Sequence, residues 1–450
     1  VKKNIALFTG VAAFVALFYG QEVGLNGCLL ALLLWIFLLI TSEKSGHTPQ
    51  FRWLSGALLV SVCAFAWYGD FISFAAVFST LVLLVCKVST PFLNVLLVPL
   101  AAAVNFMSFV FRAPFVGRWL PVNSLFKGHF YKQALYYFLI PGVLAIGFIA
   151  VYSASSNLFQ SFFHFNWNAD FFQVLFLSIA GFFIMFSFLH YWAPEALISY
   201  NEKLGDHFST EMHRMAANEP QLHFYRKSGE ISLILLNGIV VFFIITYCVE
   251  HFGSEAADNS LSDALHERVY LLIFSIIMAI SVIMLFFKGG LNFDTKAGLL
   301  KTGAFTWILL NGLLVAIVAL KNNQYVAAYG LTFKRVGVYI FLLLCAAGLV
   351  LTALKIKKQR TNCFLLNRMV WLVYGTLIIG CAINWSWIVT RYNLSHASAL
   401  DKNYLYHLPY NKQLLYNARL LPATELNNIK SEHTARPFLS QRLYYRLLNP

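Results

Sequence analysis

Charge is scarce in this sequence. Asp, Glu, Lys and Arg make up 12% of its 450 residues, while 59% are hydrophobic; soluble domains carry roughly 25% charge. A soluble core has no room for so much apolar surface, and an ordinary soluble domain is excluded. Acids are scarcest, 19 against 33 bases, which leaves a net charge of +14. The bases are spread over short connections and the C-terminal end, without a long basic run. Their distribution excludes a nucleic-acid patch and points instead to membrane topology.

Chemical motifs are missing too. The seven cysteines, Cys28, Cys63, Cys86, Cys248, Cys345, Cys363 and Cys381, share no CxxC spacing. Neither a metal knot nor a disulfide framework is indicated, and such residues serve as small apolar side chains. There is no P-loop, no GxSxG and no carboxylate pair on one face. No span centre carries an acid or base, which weakens the case for an ion-coupled carrier. No catalytic residue, metal ligand or cofactor site is assigned, and the sequence leans away from an enzyme.

Long apolar runs are what the sequence does have. A bilayer core takes about 20 apolar residues per helix. Candidate spans are 4–20, 26–42, 53–68, 135–152, 170–191, 231–250, 268–287, 303–320, 336–355 and 368–390. The opening residues have the basic start and apolar stretch of a signal peptide, but more apolar segments follow at once, and they are taken as the first span. Residues 71–111 are interrupted by Lys87, Pro91 and Pro99. They hold either two short spans or one span with a re-entrant or interfacial piece.

Lys and Arg cluster in alternate connections: Lys44/Arg52, then Arg112 to Lys132, Lys203 to Lys227, Lys288 to Lys301, and Lys355 to Arg368. Between them, 153–169 carry no charge and 251–267 carry Glu255, Asp258, Asp263 and Glu267. Placing the basic connections inside the cell makes 71–111 cross an odd number of times, giving about 11 spans, with about 12 as the alternative. The N-terminus is then cytoplasmic and the C-terminal tail outside.

An internal match is the strongest pattern. "KSGEISLILLNGIVV" (227–241) aligns without a gap to "KTGAFTWILLNGLLV" (301–315). A second helix follows each copy: "HERVYLLIF" (266–274) matches "FKRVGVYIF" (333–341), with Arg268 equivalent to Arg335. The repeating unit is a helical hairpin used twice in one orientation. Asn237-Gly238 and Asn311-Gly312 fall inside the spans. Asn in hydrocarbon needs a partner, and Gly allows a close approach. These pairs either glue helices, one Asn to the other included, or line a polar pocket.

His266, Glu267 and Arg268 begin a helix at the membrane edge, as an interfacial salt-bridge set or as a proton- or anion-handling cluster. Position 270 is Tyr, so HExxH is not formed. Loop 192–228 mixes both charge signs with His207, His213 and His223, in no metal-ligand spacing. It reads as a cytoplasmic surface for a protein partner. In "YGLTFKRVGVYIF" (329–341), Gly330 permits a turn, Thr332 caps the next helix and Tyr329 anchors at the interface. Arg335 is left over, in a first turn whose dipole disfavours it. It is expected to pair with an acid or with the tail, Asp401 and Glu267 first.

The fold expected is all-α: a polytopic transmembrane bundle with the two-hairpin repeat and a small C-terminal helical appendage. Three regions are drawn. Residues 1–228 form an N-terminal membrane region. Residues 229–390 hold the repeats (227–287 and 301–355) and a last span. Residues 391–450, rich in Tyr and Leu, form the appendage.

The motifs "AYGLTFKRVGVYIF" and "INW…YN…LDKNYLYHL", with Tyr329, Arg335, Asn393 and Asp401, resemble the bacterial membrane proteins grouped as domain of unknown function 4173, akin to group 4153. The resemblance runs over roughly 200–415. It implies a polytopic inner-membrane protein of unassigned activity and supplies no catalytic residues. The function most in keeping is a non-enzymatic scaffold or sensor, with loop 192–228 and the tail meeting partners. The alternative is a transporter or flippase for a small or lipidic substrate, with an intramembrane enzyme third.

Overall fold

In the computed structural model, the described residues are 2–42, 48–115, 119, 140–156, 169–208, 222–252, 262–287, 289–396 and 401–449. Among them there is no strand. The helices are, in order, α1 (Lys2–Phe18), α2 (Leu25–Thr41), α3 (Pro49–Tyr68), α4 (Phe71–Ser89), α5 (Val98–Met107), α6 (Phe109–Arg112), α7 (Ile140–Ser155), α8 (Ala169–Leu189) and α9 (Glu195–Asn201). Then follow α10 (Leu222–Phe252), α11 (Ser262–Phe286), α12 (Gly298–Tyr329), α13 (Phe333–Lys357), α14 (Asn362–Ala382) and α15 (Trp385–His396). The short helices α16 (Lys402–His407), α17 (Lys412–Asn417), α18 (Ala423–Thr434) and α19 (Leu443–Arg446) complete the chain.

Seven of the described helices are long and apolar enough to cross a bilayer: α3, α4, the 171–189 part of α8, the 222–249 part of α10, α12, α13 and α14. Large apolar side chains point out of them, with Leu309 74%, Phe242 70% and Phe176 70% exposed. Water would penalise such surfaces by about 25 cal/mol per Å²; lipid tails do not. The protein is an all-α, multi-pass membrane protein.

Polar residues punctuate the helices. Thr48, Asp70, Thr332, Thr361 and Asp401 each cap a helix start through a side-chain oxygen. The stretch 71–111 contains one helix of membrane length, α4, followed by a 3-10 turn (Val95–Leu97) and the short α5 and α6. Lys87 turns its ammonium onto the Leu93 carbonyl across the break. The expected span 368–390 is also broken. Asn384 accepts from Trp387 N–H at 2.9 Å and donates to Tyr410 O at 3.0 Å, so α14 stops and α15 starts anew.

The chain forms two compact units. One comprises Val1–Leu93, Val98–Leu197 and Glu432–Arg446. Here α1 lies against α8 through small residues: a Cβ at Gly10 would stand 2.6 Å from Met185 Sδ, and one at Gly181 would stand 3.0 Å from Phe14. Residues 432–446 dock on the α1–α2 turn. Ser440 Oγ accepts from Glu22 N–H at 2.9 Å and donates to Gln21 Oε1 at 2.8 Å. His433 stacks on Tyr445, ring centres 3.6 Å apart.

The other unit comprises Asn94–Leu97, Ile198–Ser431 and Leu447–Pro450. Its α10 and α12 run side by side in the same direction, Gly229 against Leu300 and Leu233 against Gly303. A Cβ on Gly229 would come within 2.7 Å of Leu300. Along α12 the buried residues are Leu300, Ala304, Trp307, Asn311, Leu314, Val318, Asn322 and Val326, one seam at three- and four-residue steps. Trp307 Nε1 donates to Ala279 O at 3.1 Å, tying α12 to α11. Leu233, Ile283, Phe287 and Leu300 fill the shared core.

Two outcomes are expected. Gly229→Val should cost about 1–3 kcal/mol by overpacking the α10–α12 contact. Gly238→Ala, where a Cβ meets nothing within 4 Å, should be neutral or favourable by up to about 1 kcal/mol; reversible unfolding in mixed micelles reads both. Burial, then Arg436, pulls the His433 imidazole below its ordinary value. The undocked segment therefore binds more protons as pH falls below about 6.5. Docking of 432–446 should weaken from there downward, seen as faster amide exchange, and His433→Phe should remove that pH dependence.

Candidate functional site

α12 ends at Tyr329 and α13 begins at Phe333. Gly330 turns the chain at φ +77°, and a Cβ there would stand 2.8 Å from Asn393 Oδ1. Both the angle and the space call for Gly. The turn leaves the Leu331 main chain buried without a helical partner, and the Asn393 amide supplies both halves. Its Oδ1 accepts from Leu331 N–H at 2.6 Å, and its Nδ2 donates to Leu331 O at 2.8 Å. One side chain thus does what a neighbouring strand would do. Thr332 Oγ1 accepts from Arg335 N–H at 3.4 Å as the cap of α13. Phe333 N–H donates to Tyr404 Oη at 2.9 Å. Tyr404 N–H in turn donates to Asp401 Oδ1 at 2.9 Å.

Arg335 lies inside this turn, 9% exposed. Its Nη1 donates to Tyr329 O at 3.1 Å and to Gly330 O, and its guanidinium stands 5.7 Å from the centre of the Tyr329 ring. Tyr325 and Tyr404 complete its surroundings. Among the described residues no carboxylate pairs with it. Asp401, the expected partner, is occupied as a helix cap, and the Glu267 side chain lies outside the described residues. Tyr404, from the tail, lies within electrostatic reach of Arg335 but bonds Phe333 N–H. The dipole argument also changes sign. Arg335 is in the first turn of α13, but its charge is spent on the last carbonyls of α12, where a cation is favoured.

Asn322 was not marked by the sequence. It is 4% exposed and donates to Arg335 O at 3.1 Å. Its signal was its place on the α12 seam, four residues after Val318 and four before Val326. Burial pushes the Tyr404 phenol up, partly offset by the Phe333 hydrogen bond and Arg335. It stays neutral, with its oxygen free to accept.

The remaining candidates lie elsewhere. Asn237 Nδ2 donates to Gly303 O at 3.0 Å, across the α10–α12 contact. Asn311 is 1% exposed and donates to Trp307 O of its own helix at 2.8 Å. The two do not bond each other. Gly238 and Gly312 do not mark a close approach, since a Cβ on either meets nothing within 4 Å; Gly229 does. His266, Glu267 and Arg268 lie in the first turns of α11, with side chains outside the described residues. Among the described residues no three His, Cys, Asp or Glu side chains gather as a metal site.

A second buried cation was missed because it sits in a basic connection of the sequence. Lys355 is 0% exposed and donates to Phe287 O at 2.7 Å, at the end of α11. Asn292 Nδ2 donates to the same carbonyl at 2.9 Å.

Asn393→Ala should leave two buried main-chain groups unsatisfied, at about 1–3 kcal/mol each. The amides of Leu331 and Phe333 should then exchange faster while those of α10 do not. Tyr404→Phe should affect Phe333 alone.

Comparison with curated proteins and with solved structures gives no match. A family model, described as Domain of unknown function (DUF4153), matches residues 54–416. This is the second of the two groups that the motifs resemble, and the match contains the whole turn with Asn322, Arg335, Asn393 and Tyr404. The chain belongs to the DUF4153 family.

Proposed function

We propose that the protein is a non-enzymatic scaffold or sensor of the bacterial inner membrane, meeting protein partners through loop 192–228 and its C-terminal segment. The observation that carries this reading is the use of the most unusual polar residues. Arg335 Nη1, the Asn393 amide and Tyr404 Oη all bond main-chain groups of the α12–α13 turn. They join the C-terminal segment to two membrane helices. Asn411, 1% exposed, extends the joint by donating to Thr390 Oγ1 and Leu405 O, both at 2.8 Å. A partner acting on this segment acts on the helix turn.

The topology that goes with this reading has about 11 spans, a cytoplasmic N-terminus, the C-terminal segment outside and α5 as a short re-entrant or interfacial piece. Same-direction packing of α10 and α12, which begin the two matching hairpins, supports the repeat. The transporter or flippase reading stays as the alternative: Asn237 Nδ2 and Asn311 Nδ2 donate within helix packing, while Asn237 Oδ1 is buried without a partner among the described residues.

The test is photo-crosslinking in living cells from exposed Tyr329 and Lys402. A reproducible adduct with one envelope protein is expected, falling at least about fivefold in Asn393→Ala, a loss of about 1 kcal/mol or more. Adduct is read per molecule of protein in the membrane, because the destabilised variant can be less abundant. Absence of any adduct, or equal adducts in both chains, overturns the reading.

A further inference from the structure

The turn from α13 to α14 carries cations without acids. Lys357, Lys358 and Arg368 are exposed and Arg360 is half-buried. The ammonium groups of Lys357 and Lys358 and the guanidinium of Arg368 form no hydrogen bond or ion pair among the described residues. Arg360 Nη1 meets the His207 ring, while its Nε has no partner among the described residues. Asp206 lies beside the turn, but its Oδ1 accepts from Asn367 Nδ2 at 3.4 Å, and it pairs with none of these bases among the described residues. Elsewhere in this unit acids are used differently: Arg226 pairs with Asp294 at 2.7 Å and Lys227 with Glu230 at 2.9 Å.

The main chain beneath these bases is held in place. Gln359 takes φ +51°, and its Nε2 donates to Asn292 O at 2.9 Å. Arg360 N–H donates to Lys355 O at 2.9 Å, and Thr361 Oγ1 donates to Gly205 O at 2.7 Å. Phe364 sets the two arginines on one ring, their guanidinium carbons 5.9 Å and 5.6 Å from its centre.

Both flanking helices have membrane length, so their connection falls at the level of lipid headgroups. Along α14 only Leu365 and Cys381 are buried. Arg368, Leu372 and Ile379 follow at four- and seven-residue steps and share a face. Leu372 and Ile379 are 40% and 66% exposed on it. A charged rim thus continues directly into an apolar, lipid-facing strip.

We propose that this turn binds an anionic phospholipid, its phosphodiester among Lys358, Arg360 and Arg368 and an acyl chain along Leu372 and Ile379. Basic clusters at the end of a membrane helix attract such headgroups. A zwitterionic lipid brings its own ammonium into a site that already holds four cations. A soluble phosphate forgoes the apolar strip.

The test is native mass spectrometry of the full chain, equilibrated in detergent with equal phosphatidylglycerol and phosphatidylcholine. Phosphatidylglycerol should be retained at least about fivefold over phosphatidylcholine. Arg360→Gln with Arg368→Gln should lower its retention at least about tenfold. Lys2→Gln with Lys3→Gln removes the same charge from another exposed basic pair and should leave retention unchanged. If the arginine variant does not fold, judged by thermal melting, Lys358→Gln with Arg368→Gln replaces it, both residues being exposed. Glycerol phosphate, the headgroup without chains, should not displace the lipid. Equal retention of the two lipids, or undiminished preference in a folded arginine variant, overturns the site. An equal loss in the Lys2 and Lys3 variant overturns its location, and displacement by glycerol phosphate overturns the lipid.

Discussion

A cation resting on the carbonyl end of a helix is the interaction on which much of this protein depends. Helices in lipid leave their last carbonyls with no water to bond. Arg335 takes those of α12, Lys355 that of Phe287 after α11, and Arg112 that of His190 after α8. A chain with 19 acids and 33 bases cannot pair every base with a carboxylate. Carbonyl ends offer an alternative that carries the right partial charge. A hydrogen bond from a charged group contributes about 1.5–3 kcal/mol, and the helix dipole adds up to about 2 kcal/mol. Together these offset the several kcal/mol of desolvation that a buried ion costs. Arg335 has two carbonyls and a tyrosine face, with its Nε buried and unpartnered among the described residues; Lys355 has the Phe287 carbonyl.

Amide side chains form the second layer of this economy. Asn393 completes an irregular turn, Asn237 links two helices, Asn322 holds the first turn of α13 and Asn384 separates α14 from α15. Each supplies hydrogen bonds where the main chain leaves its regular ladder. Small residues do the complementary work. Gly229, Gly10 and Gly181 bring helices together where lipid gives no hydrophobic push, so contact must come from close fit.

Much of the architecture was legible. The apolar runs placed the long helices, and Thr332 and Gly330 were readable as cap and turn. Arg335 stood out as a charge without an obvious use. Its partner was not legible, because a carbonyl carries no residue identity. Every residue has one, and only the folded path decides which are left bare. The same holds for Lys355, which looks in sequence like one base among several in a cytoplasmic connection. Asn237 and Asn311 illustrate the opposite case. Their alignment is plain in sequence, yet one amide crosses between helices and the other returns to its own.

By itself the sequence determined a basic, polytopic helical protein with polar punctuation at its helix ends, because hydropathy and capping are local properties. The tertiary structure alone decided where each buried charge is neutralised. It also decided which glycines mark contacts and that Asn393 and Tyr404 meet the α12–α13 turn. Those outcomes depend on residues distant in the chain arriving at one place, and no local pattern encodes that arrival.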